Sequence, residues 1–241
     1  MGVCAGFVIS PKLAFIGEYA VDPSFQRQGI GQSLWKKAME HCGDRNICLF
    51  AAPKMISVYR ERWGFRVTPA RKSMVYSGRP HLFNINKYLV DCDMEWITNE
   101  NVIDVIEYDE SICGMNRAQF LQLSINEPGS VSLLARYIDS GTVAGYGIFR
   151  TTNFNKVTPR PLFADNDNIA EALTYNCLNK FVAYDGVHLE AWDVNDGANW
   201  IAEKLGLKLS HQSPIMFTRE DVAPNNLKNI YYMTSTSFYP F

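Results

Sequence analysis

The first 76 residues alternate between short β-prone runs and segments with the period of an amphipathic helix. Two apolar runs come first, at residues 3–10 and 13–21, and Pro or Asp-Pro follows each of them. At residues 32–42, apolar side chains recur on one helical face, with lysines opposite. A buried strand at 46–52, a helix at 54–63 and one or two strands at 65–76 complete the series. This β-β-α-β-α-β order predicts an α/β fold in which helices cover the faces of a sheet.

A comparable series of elements follows Trp96, near which the periodicity weakens. The predicted elements are helices within 101–125, a hairpin of strands at 130–138 and 142–152, a helix at 168–181, a strand at 187–194 and a helix at 197–205. We therefore predict two copies of one supersecondary unit. The predicted domains are residues 1–95 and 96–241.

The composition is that of an ordinary globular chain, with 47% hydrophobic and 20% charged residues. A net charge of −2 argues against a dedicated nucleic-acid surface. No apolar run approaches the ~20 residues that a membrane-spanning helix needs. Six scattered cysteines and four distant histidines lack the spacing of a metal or redox motif. We therefore expect a protein without a metal, nucleic-acid or membrane partner. The expected location is the cytoplasm, with the nucleus as a second location.

The segment QRQGIG, residues 26–31, lies between a predicted strand and a predicted helix. The first turn of a helix leaves N–H groups unpaired, and the macrodipole adds partial positive charge there, so such a turn binds anions. Gly29 and Gly31 let the backbone approach a phosphate without an intervening Cβ. Leu34 occupies the third glycine position of the dinucleotide fingerprint, which excludes that motif. The loop is predicted to hold a diphosphate.

The spacing Gln26-x-x-Gly29-x-Gly31 resembles the Q/R-x-x-G-x-G/A signature of the GNAT superfamily of acetyl-coenzyme A-dependent N-acetyltransferases. The flanking YAVDP and LW agree with that family, and YRERWGF resembles its Tyr…Gly-Phe element. With RNICLFAAP and EYDESICGMNRAQFL, nearly the whole chain is similar to two-domain proteins of the YitH type. The resemblance implies two tandem GNAT-like domains, the second degenerate, each with a mixed, strongly twisted sheet flanked by helices.

The resemblance also implies acetyl-coenzyme A as co-substrate and an amine acceptor that attacks the thioester directly, without an acyl-enzyme. Main-chain groups near the end of the second strand are implied to pair with the pantetheine arm, and amides of the glycine loop with the pyrophosphate. The cofactor-binding residues so implied are Ala20, Val21, Gln26, Arg27, Gln28, Gly29, Ile30, Gly31 and Gln32.

The resemblance implies that Tyr59 is the acid that protonates the leaving thiolate. The alternative interpretation is that Tyr59 is an aromatic side chain packed in the core. Four residues separate Tyr59 from Gly64, whereas many family members have three. Phe15 stands where some members carry a basic glutamate. A water-mediated route is therefore expected for the amine proton, with Glu18 as second choice. A basic run near Tyr59, or Lys36 and Lys37, is the candidate partner of the 3′-phosphate.

The second half carries Asp165–Ala170 where the first half carries the glycine loop. A carboxylate about 5 Å from a phosphate charge costs about 3 kcal/mol at an effective dielectric of 20, so no second coenzyme site is expected. The resemblance implies acceptor-binding roles for Tyr108, Asp109 and Arg117; an ion pair or helix cap is the alternative.

Family members usually carry a β-α-α-β segment before the strand predicted at residues 3–10. The first domain is therefore expected to be N-terminally incomplete, and an exposed sheet edge then predicts a homodimer. The leading functional hypothesis is an N-acetyltransferase acting on a primary amine of a small molecule or peptide. The alternatives are a catalytically silent acyl-coenzyme A-binding or protein-interaction module and a scaffold without ligand, which leaves the loop unexplained.

Overall fold

The structure is a computed structural model that describes residues 1–88 and 91–237. The described chain divides into two compact units. The first comprises Met1–Ser73, Ser213–Val222 and residues 235–237, and the second comprises Met74–Gln212 and Ala223–Thr234. These units are defined by contacts in space. The domain boundary near residue 96 is defined by the repeat of elements in the sequence, and it stays a prediction.

The regular elements are numbered in chain order. The strands are β1 (Gly2–Val8), β2 (Leu13–Val21), β3 (Asn46–Phe50), β4 (Lys72–Gly78), β5 (Cys92–Trp96), β6 (Val131–Tyr137), β7 (Val143–Thr151), β8 (Lys156–Ala164), β9 (Gly186–Trp192), β10 (Lys208–Phe217) and β11 (Ile230–Tyr232). The helices are α1 (Ile30–Cys42), α2 (Ile56–Trp63), α3 (Val102–Cys113), α4 (Ala118–Ile125), α5 (Asp167–Leu178) and α6 (Asp196–Lys204). Within the described ranges, none of these helices has the length and hydrophobicity needed to cross a bilayer.

The first unit is built on a mixed sheet. Strand β1 pairs antiparallel with β2, and β2 pairs parallel with β3. The last residues of β10 pair antiparallel with β3, where Ile215 lies opposite Phe50. Residues of α1 and α2, among them Trp35 and Tyr59, belong to the apolar cluster that covers this sheet. The helices form where the sequence places an apolar face, which confirms the order of elements predicted for this part of the chain.

Strand β2 contains an irregularity near its end. Val3 pairs with Ala20 but Ala5 pairs with Gly17, so β2 carries one more residue than β1 across this step. Glu18 lies in the extra stretch with a φ of 50°, in the left-handed region. The side chains of β2 therefore do not keep strict alternation between Gly17 and Val21, and the face of a residue in this stretch does not follow from counting alone.

The second unit contains a sheet in the order β4-β9-β8-β7-β6-β5, with β11 added to β8. The pairings β5–β6, β6–β7 and β7–β8 are antiparallel, and β8–β9 is parallel. Apolar residues of α5 and α6 form a continuous core with this sheet, among them Leu173 and Ile201. The sheet is mixed and flanked by helices, as predicted for an α/β fold.

Strands β5, β8, β10 and β11 were not predicted from the sequence. Strand β8 contains Pro159 and Pro161, which argue against a central strand because proline lacks an N–H. The pairing with β7 shifts between Gly147 and Phe149, so a bulge accommodates the prolines. Strand β5 has only Cys92 buried and no clear alternation, which is why its pattern is weak.

Candidate functional site

A cavity of about 690 Å³ lies in the first unit beside the glycine loop. Its walls come from the end of β2, the loop, the first turns of α1, and α2 with the residue before it. The lining residues are Tyr19, Ala20, Val21, Gln26, Arg27, Gly29, Gly31, Gln32, Trp35, Met55, Val58, Tyr59, Arg62 and Trp63. Most of the residues predicted to bind the coenzyme are thus brought together; Gln28 and Ile30 belong to the same loop but do not line the cavity.

The loop reaches the helix through two residues in the left-handed region. Arg27 has a φ of 61° and Gly29 a φ of 79°. Gly29 is the N-cap of α1 and has no side chain to bond the first N–H groups. The amides of Ile30, Gly31 and Gln32 therefore have no partner within the helix and carry the positive end of its dipole. This turn can accept an anion at one end of the cavity.

Side chains of the loop itself hold its shape. The Asp22 carboxylate accepts a hydrogen bond of 2.9 Å from the Ser24 amide, and hydrogen bonding to Ser24 lowers the pKa of Asp22. The Gln26 carboxamide donates to the Val21 carbonyl at 2.9 Å, and Gln28 donates to the Ser24 carbonyl at 3.3 Å. Gln26 thus fastens the loop to the end of β2.

The two glycines of the loop are required for different reasons. A Cβ on Gly29 would meet no atom within 4 Å, so its left-handed φ is the constraint. A Cβ on Gly31 would instead fall inside the contact distance of the Tyr19 hydroxyl and 3.2 Å from Val21. Gly31 therefore permits the close approach of β2 to the first turn of α1.

Aromatic side chains form the apolar wall of the cavity. The Trp35 ring lies 5.2 Å from that of Tyr59 with an interplanar angle of 22°, and 5.2 Å from Tyr19 edge-on. Trp63 completes the group, with its ring 5.6 Å from Trp35. The indole N–H of Trp35 is buried without a hydrogen-bond partner among the described residues. Sequence reasoning missed this wall, although Trp35 lies on the apolar face predicted for α1.

Tyr59 contributes its ring to the cavity from α2. The helix ends at Gly64, whose φ is 77°, and the amides of Gly64 and Phe65 both donate to the Tyr59 carbonyl. Burial, followed by the neighbouring Tyr19 and Cys4, raises the pKa of Tyr59. The hydroxyl therefore keeps its proton at neutral pH, as a proton donor must.

The structure places the other predicted site residues elsewhere. Glu18 is exposed at the irregular stretch of β2 and does not line the cavity, so its role as base stays a prediction. Lys37 pairs with Glu40 at 2.9 Å. Of the basic side chains near Tyr59, Arg62 lines the cavity, whereas Arg71 bonds Asp221. Arg62 is thus better placed than the lysines for a second phosphate.

In the second unit, the N-terminus of α5 is occupied by protein groups. The Asn166 side chain accepts a hydrogen bond from the Ile169 amide at 3.1 Å. Asp165 accepts from Tyr108 at 2.8 Å and Tyr137 at 3.2 Å. Asp167 accepts from the hydroxyl of Tyr231. The turn that corresponds to the glycine loop therefore carries a side-chain cap and two carboxylates, both unfavourable to an anion.

Asp109 and Arg117 form a buried ion pair in the second unit. Both side chains are 0% exposed, and the Arg117 guanidinium bonds both carboxylate oxygens of Asp109. The Tyr146 hydroxyl also donates to Asp109, and Arg117 bonds Thr234. These contacts favour the structural alternative for the pair, and the proposed acceptor roles of Tyr108, Asp109 and Arg117 stay predictions.

No group of three or more His, Cys, Asp or Glu side chains in residues 1–88 and 91–237 has the arrangement of a metal site. All six cysteines are unbridged. The cavity is lined by main-chain groups of the loop, the aromatic wall, and Arg27 and Arg62.

Comparison with known families matches both parts of the chain. The acetyltransferase (GNAT) domain matches residues 105–232, more than half of the chain, and the acetyltransferase (GNAT) family matches residues 1–65. The chain belongs to the GNAT acetyltransferase family.

Two curated relatives are similar over part of their length. The holothin acyltransferase of Pseudoalteromonas sp. is 29% identical over 164 residues, which are 67% of this chain and 52% of that protein. An uncharacterised protein of Caenorhabditis elegans is 23% identical over 173 residues, 66% of this chain and 52% of that protein. The chain spans about half the length of these relatives.

Solved structures share the fold. A GCN5-related N-acetyltransferase from Sphaerobacter thermophilus superposes with a TM-score of 0.65 at 16% identity, covering 94% of this chain and 78% of that one. A tandem GNAT protein from the clavulanic acid biosynthesis pathway gives 0.61 at 15% identity, covering 88% and 75%. Together with the two family matches, these likenesses confirm the predicted fold class of tandem GNAT-like α/β units.

The occupied turn of the second unit gives a first prediction. Replacing Asp165 and Asp167 by Asn removes both negative charges but leaves the Asn166 cap in place. We expect acetyl-coenzyme A to bind one per chain in both the wild type and the double variant, measured by titration calorimetry. Two sites per chain in the wild type would show that this turn does bind the coenzyme.

The buried ion pair gives a second prediction. Asp109→Asn leaves the Arg117 charge buried and uncompensated, so the free energy of unfolding should fall by about 3–5 kcal/mol. Urea denaturation followed by circular dichroism measures it. The control is Glu95→Gln, which breaks an exposed pair with Arg136 and should cost no more than about 1 kcal/mol. Equal losses in the two variants would contradict a structural role for the buried pair.

Proposed function

We propose that the first unit binds acetyl-coenzyme A and transfers its acetyl group to a primary amine of a small molecule or peptide. The observation that carries this proposal is the difference between the polar end of the cavity and its aromatic wall. At one end, the first turn of α1 presents amides that have no side-chain cap, beside Arg27. Along the wall lie Trp35, Tyr59 and Trp63. Such a cavity suits a ligand with a diphosphate at one end and a neutral chain beyond it.

The amides that follow Gly29 are the proposed contacts of the pyrophosphate. Charge-assisted hydrogen bonds contribute about 1.5–3 kcal/mol each, so three or four of them hold a diphosphate. The end of β2 at Ala20 and Val21 lines the same cavity, and its main chain is the proposed partner of the pantetheine arm. Arg62 is the proposed contact of a further phosphate.

In the proposed reaction, the amine nitrogen attacks the thioester carbonyl, a C–N bond forms and the C–S bond breaks. The cavity holds both reactants in place, which supplies much of the rate. The leaving thiolate takes the proton of the Tyr59 hydroxyl, and the amine proton, relayed through water, restores that hydroxyl. Because Glu18 does not line the cavity, the amine proton leaves through water in this scheme.

The second unit is proposed as a degenerate GNAT-like partner, in the two-domain arrangement of the YitH type with the domain boundary near residue 96. An interaction between chains is proposed through β1, the outermost strand of the first unit's sheet. Sedimentation that finds only monomers would contradict this homodimer. The position of Glu18 outside the cavity favours a catalytically silent acyl-coenzyme A-binding module as the second candidate function.

The glycine loop is tested by two variants of equal size. In Gly29→Asp, a carboxylate about 5 Å from the pyrophosphate costs about 3 kcal/mol, roughly 100-fold in affinity for acetyl-coenzyme A. Gly29→Asn is the matched control, because Asn tolerates a left-handed φ and adds no charge. Titration calorimetry measures both. Equal affinity in the two variants, or no binding by the wild type, would rule out this loop as the phosphate site.

Tyr59→Phe tests the proposed acid. The ring and its stacking on Trp35 remain, so the KM for acetyl-coenzyme A should change little, while kcat falls about 100-fold or more. Thiol release over a panel of primary amines measures both constants. The control is Tyr184→Phe, since Tyr184 belongs to the second unit and burial raises its pKa as well. Coenzyme binding without thiol release from any amine supports the silent module instead.

A further inference from the structure

Three polar side chains form a hydrogen-bonded chain on the sheet of the second unit. The Ser77 Oγ lies 3.1 Å from Nδ1 of His188, and Nε2 of His188 lies 3.1 Å from Oε1 of Glu190. His188 and Glu190 are two residues apart on β9 and so share one face of that strand. Ser77 belongs to β4, the neighbour of β9 in the sheet. None of the three lines the cavity of the first unit.

The order of partners fixes the direction of the hydrogen bonds. A carboxylate only accepts, so His188 carries its proton on Nε2 and donates it to Glu190. Nδ1 is then an acceptor, and the Ser77 hydroxyl donates to it. A hydroxyl bonded to an imidazole, itself oriented by a carboxylate, is the arrangement that activates a serine nucleophile.

We propose that Ser77 is a nucleophile toward small activated acyl esters, with His188 as its base and Glu190 as a positioning residue. This site is separate from the proposed coenzyme cavity and does not depend on it. Burial suits the roles, because the side chain of Glu190 is 12% exposed and that of His188 is 31% exposed. The carboxylate is shielded, while the imidazole remains within reach of a small molecule from solvent.

The strand under the site is held by the core. Val187, Leu189 and Ala191, which alternate with His188 and Glu190, are all 0% exposed and belong to the apolar core of the second unit. Their packing fixes β9, so the imidazole and the carboxylate keep their relative position. A fixed base needs no reorganisation when it accepts the proton.

The proposed step is an acyl transfer to the hydroxyl. The Ser77 Oγ attacks the ester carbonyl, an O–C bond forms, and the bond to the leaving alkoxide or phenolate breaks. The hydroxyl proton passes to Nδ1 of His188 and then to the leaving group. Water, deprotonated by the same imidazole, subsequently releases the acid and restores the serine.

A second serine–histidine pair in the same unit provides an internal comparison. The Ser210 Oγ lies 3.3 Å from Nδ1 of His211, but it donates at 2.9 Å to the Val75 carbonyl. Among the described hydrogen bonds and ion pairs, His211 has no carboxylate partner. The imidazole beside Ser210 therefore lacks the carboxylate partner that orients the imidazole beside Ser77.

The test is labelling of the full chain with a fluorophosphonate, followed by peptide mass spectrometry. We expect modification of Ser77 and not of Ser210 in the wild-type protein, which requires no variant to fold. His188→Gln should slow labelling of Ser77 about 100-fold or more. Glu190→Gln should slow it as well, and Glu190→Asp should recover part of the rate because a carboxylate remains. Ser77→Ala should abolish hydrolysis of p-nitrophenyl acetate at this site.

Three results would overturn the proposal. They are an unmodified Ser77, equal modification of Ser77 and Ser210, and an unchanged labelling rate in His188→Gln. Urea denaturation of each variant shows whether it is folded. The comparison of Ser77 with Ser210 is made in the wild-type protein and does not depend on the folding of any variant. Recovery in Glu190→Asp but not in Glu190→Gln separates positioning from a general loss of stability. Acetyl-coenzyme A binding is measured separately, so either proposal can fail alone.

Discussion

Helix α1 begins at a glycine in the left-handed region, and the character of the cavity depends on that start. Gly29 has a φ of 79° and no side chain, so the first amides of α1 have neither a side-chain cap nor a partner within the helix. The close passage of Tyr19 against Gly31 brings the end of β2 to the same turn. Since Gln26 fastens the loop to Val21, strand, loop and helix form one wall of the cavity.

The second unit uses a comparable turn differently. Asn166 stands before α5 and satisfies an amide with its own side chain, and tyrosine hydroxyls donate to the carboxylates of Asp165 and Asp167. Glycine at the N-cap gives up only a few tenths of a kcal/mol relative to asparagine, and it leaves the first amides open to another acceptor. The same supersecondary unit can therefore serve either a ligand or the stability of the fold, depending on whether glycine or asparagine precedes the helix.

Local patterns predicted the helices, most of the strands and the loop, because helical periodicity and glycine spacing act within a few residues. Strand β8 could not be predicted because it contains prolines. The structure accommodates them at a bulge in the pairing with β7, between Gly147 and Phe149. The irregular stretch at Glu18 depends on the pairing of β2 with β1. The face of the strand on which Glu18 lies therefore could not be predicted from its spacing in the sequence. The aromatic wall around Trp35 and the partners of Ser77 come from distant segments, and no spacing in the chain records such contacts.

The aromatic wall has an electrostatic consequence for whatever occupies the cavity. Trp35, Tyr59 and Trp63 pack side by side, burial raises the pKa of Tyr59, and the Trp35 N–H has no hydrogen-bond partner in the part of the chain that the structure describes. Charge interactions are stronger beside such an apolar surface than in water, which strengthens the field of the α1 amides toward an anion. The same burial keeps the Tyr59 hydroxyl protonated at neutral pH. The two ends of the cavity thus reinforce each other, because the apolar rings strengthen the electrostatic effect of the amides in the loop.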